Sequence, residues 1–262
     1  EELGVSIEHG PDARAEVGAV TVAAALAALA LGSLHLVAGR LRFLDAIPRS
    51  RWLSFGSGVS VAYVCMHVLP ELAAHQRRLA GTELPGLGLL EHHVYFFALL
   101  GLSVFYGLER LVTRSRLHSR RAHGVDIAGP GVFWIHVGSF AGYNALIGYL
   151  LLHRETPGVR GLTLFALAMG AHFVVNDYGL RHDHRHRYHD IGRWILAVAV
   201  LIGWSIGATT RIHRTALAIF FAFLAGGVLL NVLKEELPRE RESAFWAFAL
   251  GAAAYTALLR IL

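Results

Sequence analysis

Cysteine and lysine each occur once in this chain of 262 residues, at Cys65 and Lys234, and only 16% of its side chains are charged. A lone cysteine excludes an intramolecular disulfide framework and any cysteine-rich zinc module. Soluble globular domains carry ~25% charged residues. This chain has too little charge to cover a water-facing surface, which excludes an ordinary soluble enzyme and a disordered scaffold. No glycine loop ends in Gly-Lys-Ser/Thr for nucleotides, and neither His-Glu-x-x-His nor Cys-x-x-Cys occurs. No nucleophile or base stands beside a candidate ligand, so the chain is expected not to be an enzyme.

What the sequence holds instead is apolar bulk, 55% of residues. A bilayer-spanning helix needs ~20 such residues, and eight stretches qualify or come close: 17–39, 52–74, 94–112, 131–152, 161–179, 191–210, 216–233 and 244–259. The expected fold class is therefore all-α, a polytopic membrane protein with eight transmembrane helices. Residues 1–16 are polar and acidic and lack the apolar core of a secretory signal, so they are expected to form an extracytoplasmic tail. Residues 17–262 then make a single transmembrane domain. Arg supplies 23 of the 24 basic residues, and 16 of the 24 fall on one side of the bilayer when the N-terminus is placed outside. By the positive-inside bias, both termini face out, a basic loop 113–130 and a His-rich loop 181–190 face in, and the location is a cell (plasma or inner) membrane. The net charge of +5 is read as topology, with no nucleic-acid partner.

Ionisable groups at membrane depth cost ~2.5–3.5 kcal/mol each on insertion scales and so need partners or a function. On the second stretch His67 and Glu71 stand at i, i+4 around Pro70, which frees a backbone carbonyl one turn back. They form an outer cation acceptor, or meet water at the membrane boundary. On the fourth stretch His136 and Asn144 could line a polar seam with Ser139 and Tyr143, although a helix–helix hydrogen bond explains Asn144 equally well. On the fifth, His172 and Asn176 share a face and Asp177 follows. Imidazole and amide one turn apart are the geometry by which a single helix offers two donors to one metal ion. The bland alternative bonds His172 to a neighbouring carbonyl and leaves Asp177 capping the helix end near water. In 181–190, His182, His184, His186 and His189 alternate with arginines, forming a low-specificity acceptor for transition metals or a basic segment facing anionic lipid.

The stretch SGVSVAYVCMHVLPEL, residues 57–72, resembles the second transmembrane helix of the ZIP family of zinc and iron transporters, through Gly58, His67, Leu69, Pro70 and Glu71. GGVLLNVLKEELPRE, from Gly226, resembles that family's seventh helix. The resemblance implies a ZIP-like eight-helix bundle with both termini outside and a metal site built by the fourth and fifth helices. There the chain departs from the family's pattern. Ser139 and Phe140 stand where His-Asn belongs, and Tyr143 where the acid belongs. His172 matches the first ligand of the fifth helix, Phe173 replaces the second, and Asn176 stands in place of His or Glu. The leading expectation is a transporter of a divalent transition-metal ion, zinc-like, through an altered site of His172, Asn176 and Asp177 with His67, Glu71, His136 and Asn144. The alternative is a transport-inactive ZIP fold acting as metal sensor, scaffold or partner subunit. Expected partners are membrane lipid and the metal ion, with a homodimer allowed.

Overall fold

The structure, a computed structural model, describes residues 11–38, 51–79, 93–154, 158–236 and 244–261. Among them every regular element is helical: α1 (Pro11–Ala38), α2 (Arg51–Tyr63), α3 (Leu69–Leu79), α4 (His93–His123), α5 (Pro130–His153), α6 (Gly158–His184), α7 (Arg193–Thr209), α8 (Arg214–Glu236) and α9 (Phe245–Ile261). A π-helical turn at Val64–Val68 joins α2 to α3 in one rod. Pro70 accounts for the turn. Its ring lacks an N–H and crowds the carbonyl four residues back, so the ladder slips by one residue and the Leu69 N–H bonds the Val64 carbonyl.

Six segments are long and apolar enough to cross a membrane: Gly18–Ala38, Arg51–Arg78, His93–Ala122, Pro130–His153, Gly158–His184 and Tyr188–Thr209. Two shorter apolar helices, Arg214–Leu230 and Phe245–Ile261, accompany them. The distribution of side chains is that of a protein in hydrocarbon. Leu26 and Leu99 are each 61% exposed, whereas His35, Asn144 and Asp177 are buried. The chain folds as an all-α polytopic membrane protein.

Several element boundaries differ from the sequence reading. α1 begins at Pro11, inside the expected tail, and residues 1–10 lie outside the described residues. α4 runs on to His123, so only 124–129 of the expected loop 113–130 is non-helical. The segment 181–190, expected as a loop, is helical except at Arg185, whose φ of 41° puts it in the left-handed region and bends the chain. Hydropathy marks where the hydrocarbon ends. A helix already nucleated continues past that point through Arg, Leu and Ser, which tolerate it well.

The helices sort into two groups. α1, α5, α6 and α7 pack on one another, and the second group consists of two tight pairs, α2 with α9 and α4 with α8, which touch each other lightly through α2, its extension α3, α4 and α8. The main interfaces within each group are closed by glycines from both partners. A Cβ at Gly148 would strike the Val200 carbonyl and one at Gly203 the Ala145 carbonyl, between α5 and α7. Gly58 and Gly251 do the same between α2 and α9, and Gly101 and Gly226 between α4 and α8. Small residues let backbones approach this closely where lipid gives no hydrophobic drive to pair. Between the groups, α2 meets α6 and α4 meets α5 through larger side chains, with Tyr63 against Phe165 and Phe105 against Phe140 and Tyr143.

Candidate functional site

The most completely buried polar cluster lies inside the first group. His35 of α1 is 0% exposed and Asp177 of α6 1% exposed, and the His35 Nδ1 lies 2.9 Å from both carboxylate oxygens. The Asn144 amide of α5 lies 2.8 Å from the His35 Nε2 and reaches the Leu196 carbonyl of α7 at 3.5 Å. An ionised carboxylate only accepts, so Nδ1–H donates to Asp177 and the Nε2 lone pair accepts from Asn144. One imidazole thus ties three helices together and satisfies a buried charge. Asn144 fits the helix–helix hydrogen bond expected as its alternative. Asp177 does not cap a helix end near water. His35, a solitary ionisable group in an Ala/Leu-rich span, received no site role from sequence, although its isolation in hydrocarbon was the available signal.

A second set of rings lies between α5 and α6 and meets the second group at Phe105 of α4. The Tyr143 hydroxyl lies 3.1 Å from the His172 Nε2, so His172 bonds a side chain and not a neighbouring carbonyl. Phe173 packs on His35, with ring centres 4.5 Å apart, and also approaches His172 at 6.5 Å. Phe140 stacks edge-on with His136 and Phe105. Nearer the end of the bundle where α5 begins, the His136 Nδ1 meets the His184 Nε2 at 2.9 Å, one ring donating and the other accepting. His136 and Tyr143 are seven residues apart on α5, about 10 Å in depth at 1.5 Å per residue. Toward the other end, past the Tyr63–Phe165 contact, His67 is half-buried, stacked on Tyr63 at 5.5 Å and edge-on to Tyr255 at 6.1 Å.

The remaining candidates do not gather around one point. Asn176 is buried one turn beyond His172, and Glu71 is half-buried on α3. Of the four histidines in 181–190 only His184 turns inward, whereas His182, His186 and His189 are exposed. Helical geometry spreads alternate residues around the axis, so the four imidazoles do not converge. Among the described residues no group of three or more His, Cys, Asp or Glu is placed to hold a metal ion. Among the described residues, His35 with Asp177 and His136 with His184 are buried pairs that a metal could bridge by replacing the shared proton.

No family model, curated protein or solved structure matches this chain.

The end of the bundle holding His184 is closed by a guanidinium. Arg116 of α4 gives a two-pronged contact to Asp126, Nε to Oδ1 at 3.0 Å and Nη2 to Oδ2 at 2.9 Å, and its Nη1 donates to Asp183 of α6 at 2.5 Å. It thereby joins a helix of one group to a helix of the other. The hydrogen bonds from Arg116 hold the Asp126 carboxyl below the usual carboxylate range, against an opposing effect of burial. On α7, Gly203 to Gly207 spell Gly-x-Ser-x-Gly, but no strand precedes them. The Ser205 hydroxyl donates to the Leu201 carbonyl one turn back, at 2.8 Å, so the serine is an ordinary helical residue and no nucleophile elbow exists.

Proposed function

We propose that this protein is a ZIP-like eight-helix carrier that moves a divalent transition-metal ion, zinc-like, across a cell membrane by rocking one four-helix group against the other. One observation carries the reading: imidazoles stand at three depths through the bundle, His67 beside Tyr63 in the second group, then His172 and then His136 with His184 between α5 and α6 of the first. Histidine inside a membrane is costly and marks an ion or substrate path by default, and neutral imidazole is a ligand for zinc and its neighbours. In this reading α8 and α9 complete eight spans. Both termini face outside, and the Arg116 end faces the cytoplasm. His172 is the principal ligand, with Asp177 and Asn176 as oxygen donors and His35 and Asn144 behind them. His67 and Glu71 receive the ion, and His136 with His184 release it. Proteoliposomes containing the purified protein should take up zinc, manganese, iron or cadmium, and His172→Ala should abolish uptake. Absence of uptake of all four, with metal affinity unchanged by His172→Ala, would sink the proposal.

A second reading is favoured by Phe140 and Phe173, both buried beside the imidazoles they border. They stand where the resemblance calls for metal-site residues, and Phe cannot ligate. In that reading the chain is a transport-inactive ZIP fold that senses metal or supports a partner, and metal binds only the exposed His182, His186 and His189. Replacing those three with alanine should then remove all zinc binding measured by calorimetry, whereas residual binding that depends on His172 supports the carrier.

A further inference from the structure

A pocket of about 550 Å³ lies at the end of the first helix group where α5 finishes. Its walls come from Val20 and Thr21 of α1, the end of α5, Gly158 at the start of α6, and residues 207–211 at the end of α7 and just beyond. The volume falls within the ~300–1,000 Å³ range of small-molecule sites. The spans Pro130–His153 and Tyr188–Thr209 stop here, which sets the pocket at the membrane boundary, within reach of water.

The ionisable side chains in these walls are His153, Arg154 and Arg211, with no carboxylate among them. Among the described residues neither arginine forms an ion pair. Arg211 is exposed, and Arg154 is half-buried. The Arg154 Nη1 donates to the Leu151 carbonyl and its Nη2 to the Gly158 carbonyl at 2.5 Å, whereas its Nε is sealed from solvent with no hydrogen-bond partner. A guanidinium carries five N–H donors, so these two bonds leave donors over for a ligand. The His153 Nε2 donates to the Gly207 carbonyl at 2.8 Å, and the ring stacks on Tyr149. His153 thus braces the wall.

Capping of helix ends does not use up this charge. α5 and α7 end at the pocket and α6 begins there. Two C-termini at about −0.5 each and one N-terminus at about +0.5 leave roughly −0.5, and the two guanidiniums turn that into about +1.5. A metal ion would be repelled, and an uncharged ligand would leave the buried Nε donor unanswered. We propose that this pocket binds a soluble organic oxyanion, with a phosphate or carboxylate head on Arg154 and Arg211 and a small apolar body against Val20, Leu152 and Ala208. Guanidinium matches the paired oxygens of such a head. The proposal is independent of metal transport.

The test uses the whole chain in an uncharged detergent, with phenyl phosphate as probe and thermal unfolding and calorimetry as readouts. Phenyl phosphate should bind and raise the melting temperature more than inorganic phosphate at the same concentration. Arg211→Ala removes one exposed guanidinium and should weaken binding by about ten- to hundredfold while the protein still melts cooperatively. Ala208→Glu places a carboxylate in the same wall and should likewise abolish the response. Equal effects of phenyl phosphate, inorganic phosphate and sodium chloride at matched ionic strength would overturn the proposal, as would binding undiminished in both variants. Stabilisation by phosphatidylglycerol in nanodiscs without any response to phenyl phosphate would mark a lipid-headgroup site and overturn it too.

Discussion

His35 and Asp177 are 142 positions apart in sequence, yet the imidazole Nδ1 lies 2.9 Å from both carboxylate oxygens with both side chains out of contact with solvent. The ring faces the carboxylate through Nδ1 and the Asn144 amide through Nε2, so both of its nitrogens are engaged. The three side chains fasten α1, α5 and α6 into one body.

Removing one partner of this pair should therefore cost far more than removing both. His35→Ala strands the Asp177 charge and is expected to destabilise the protein by ~3–5 kcal/mol, whereas His35→Leu/Asp177→Leu should recover most of that loss. Thermal unfolding of the three proteins in one detergent measures the difference. Equal losses in the single and double variants would show that leaving Asp177 without its histidine carries no penalty of its own.

Close helix contacts should make single methyl groups intolerable at specific glycines. Gly148→Ala pushes a Cβ into the Val200 carbonyl and should cost ~1–3 kcal/mol or more through separation of α5 from α7. Gly138→Ala, on the same helix with open space around it, should stay within ~0.5 kcal/mol of the wild type. The contrast between the two melting temperatures is the measurement.

Tyr143→Phe deletes the hydroxyl bonded to His172 and leaves the ring packed against Phe105. Stability should fall by ~0.5–1.5 kcal/mol. If His172 is a metal ligand, its released Nε2 should raise zinc affinity, read by calorimetry. Unchanged affinity would count against His172 as a ligand.

The contact between Arg116 and Asp126 should leave a signature in acid. The Asp126 carboxyl is depressed in the folded state, so the unfolded chain binds its proton first as pH falls. The stabilisation is fully present above the ordinary aspartate value of ~3.9. It is lost progressively as pH drops from there through the folded value. Arg116→Gln should lower stability at neutral pH and flatten the dependence below pH ~4. Arg116→Lys should restore little of it, because an ammonium cannot form the two-pronged contact. Melting temperature against pH for the three proteins checks this. Asp126 is partly exposed, so the effect should shrink in high salt.

Much of the architecture was legible because hydrocarbon imposes a simple rule. Runs of about 20 apolar residues fold as helices in a bilayer unless they close into a barrel; six of the expected stretches lie in helices long and apolar enough to cross one, and the last two in shorter apolar helices. Pro70 likewise announced a disturbed backbone, and the π turn lies immediately before it. The elongation of α4 to His123 and of α6 to His184 was not legible, since hydropathy reports the edge of the membrane and not the end of a helix. The four histidines of 182–189 read as a cluster in one dimension, and the helix disperses them.

The sequence by itself determined that water could not be the only solvent of this chain, that its elements would be helices, and which few polar side chains would lie among them. Tertiary packing decided which of those side chains meet. His35 found Asp177 and Asn144, His136 found His184, and Tyr143 took the ring nitrogen of His172. Periodicity along one helix reports which face a residue occupies. It carries no record of the neighbour opposite, which is set by glycine-mediated contacts between helices distant in the chain.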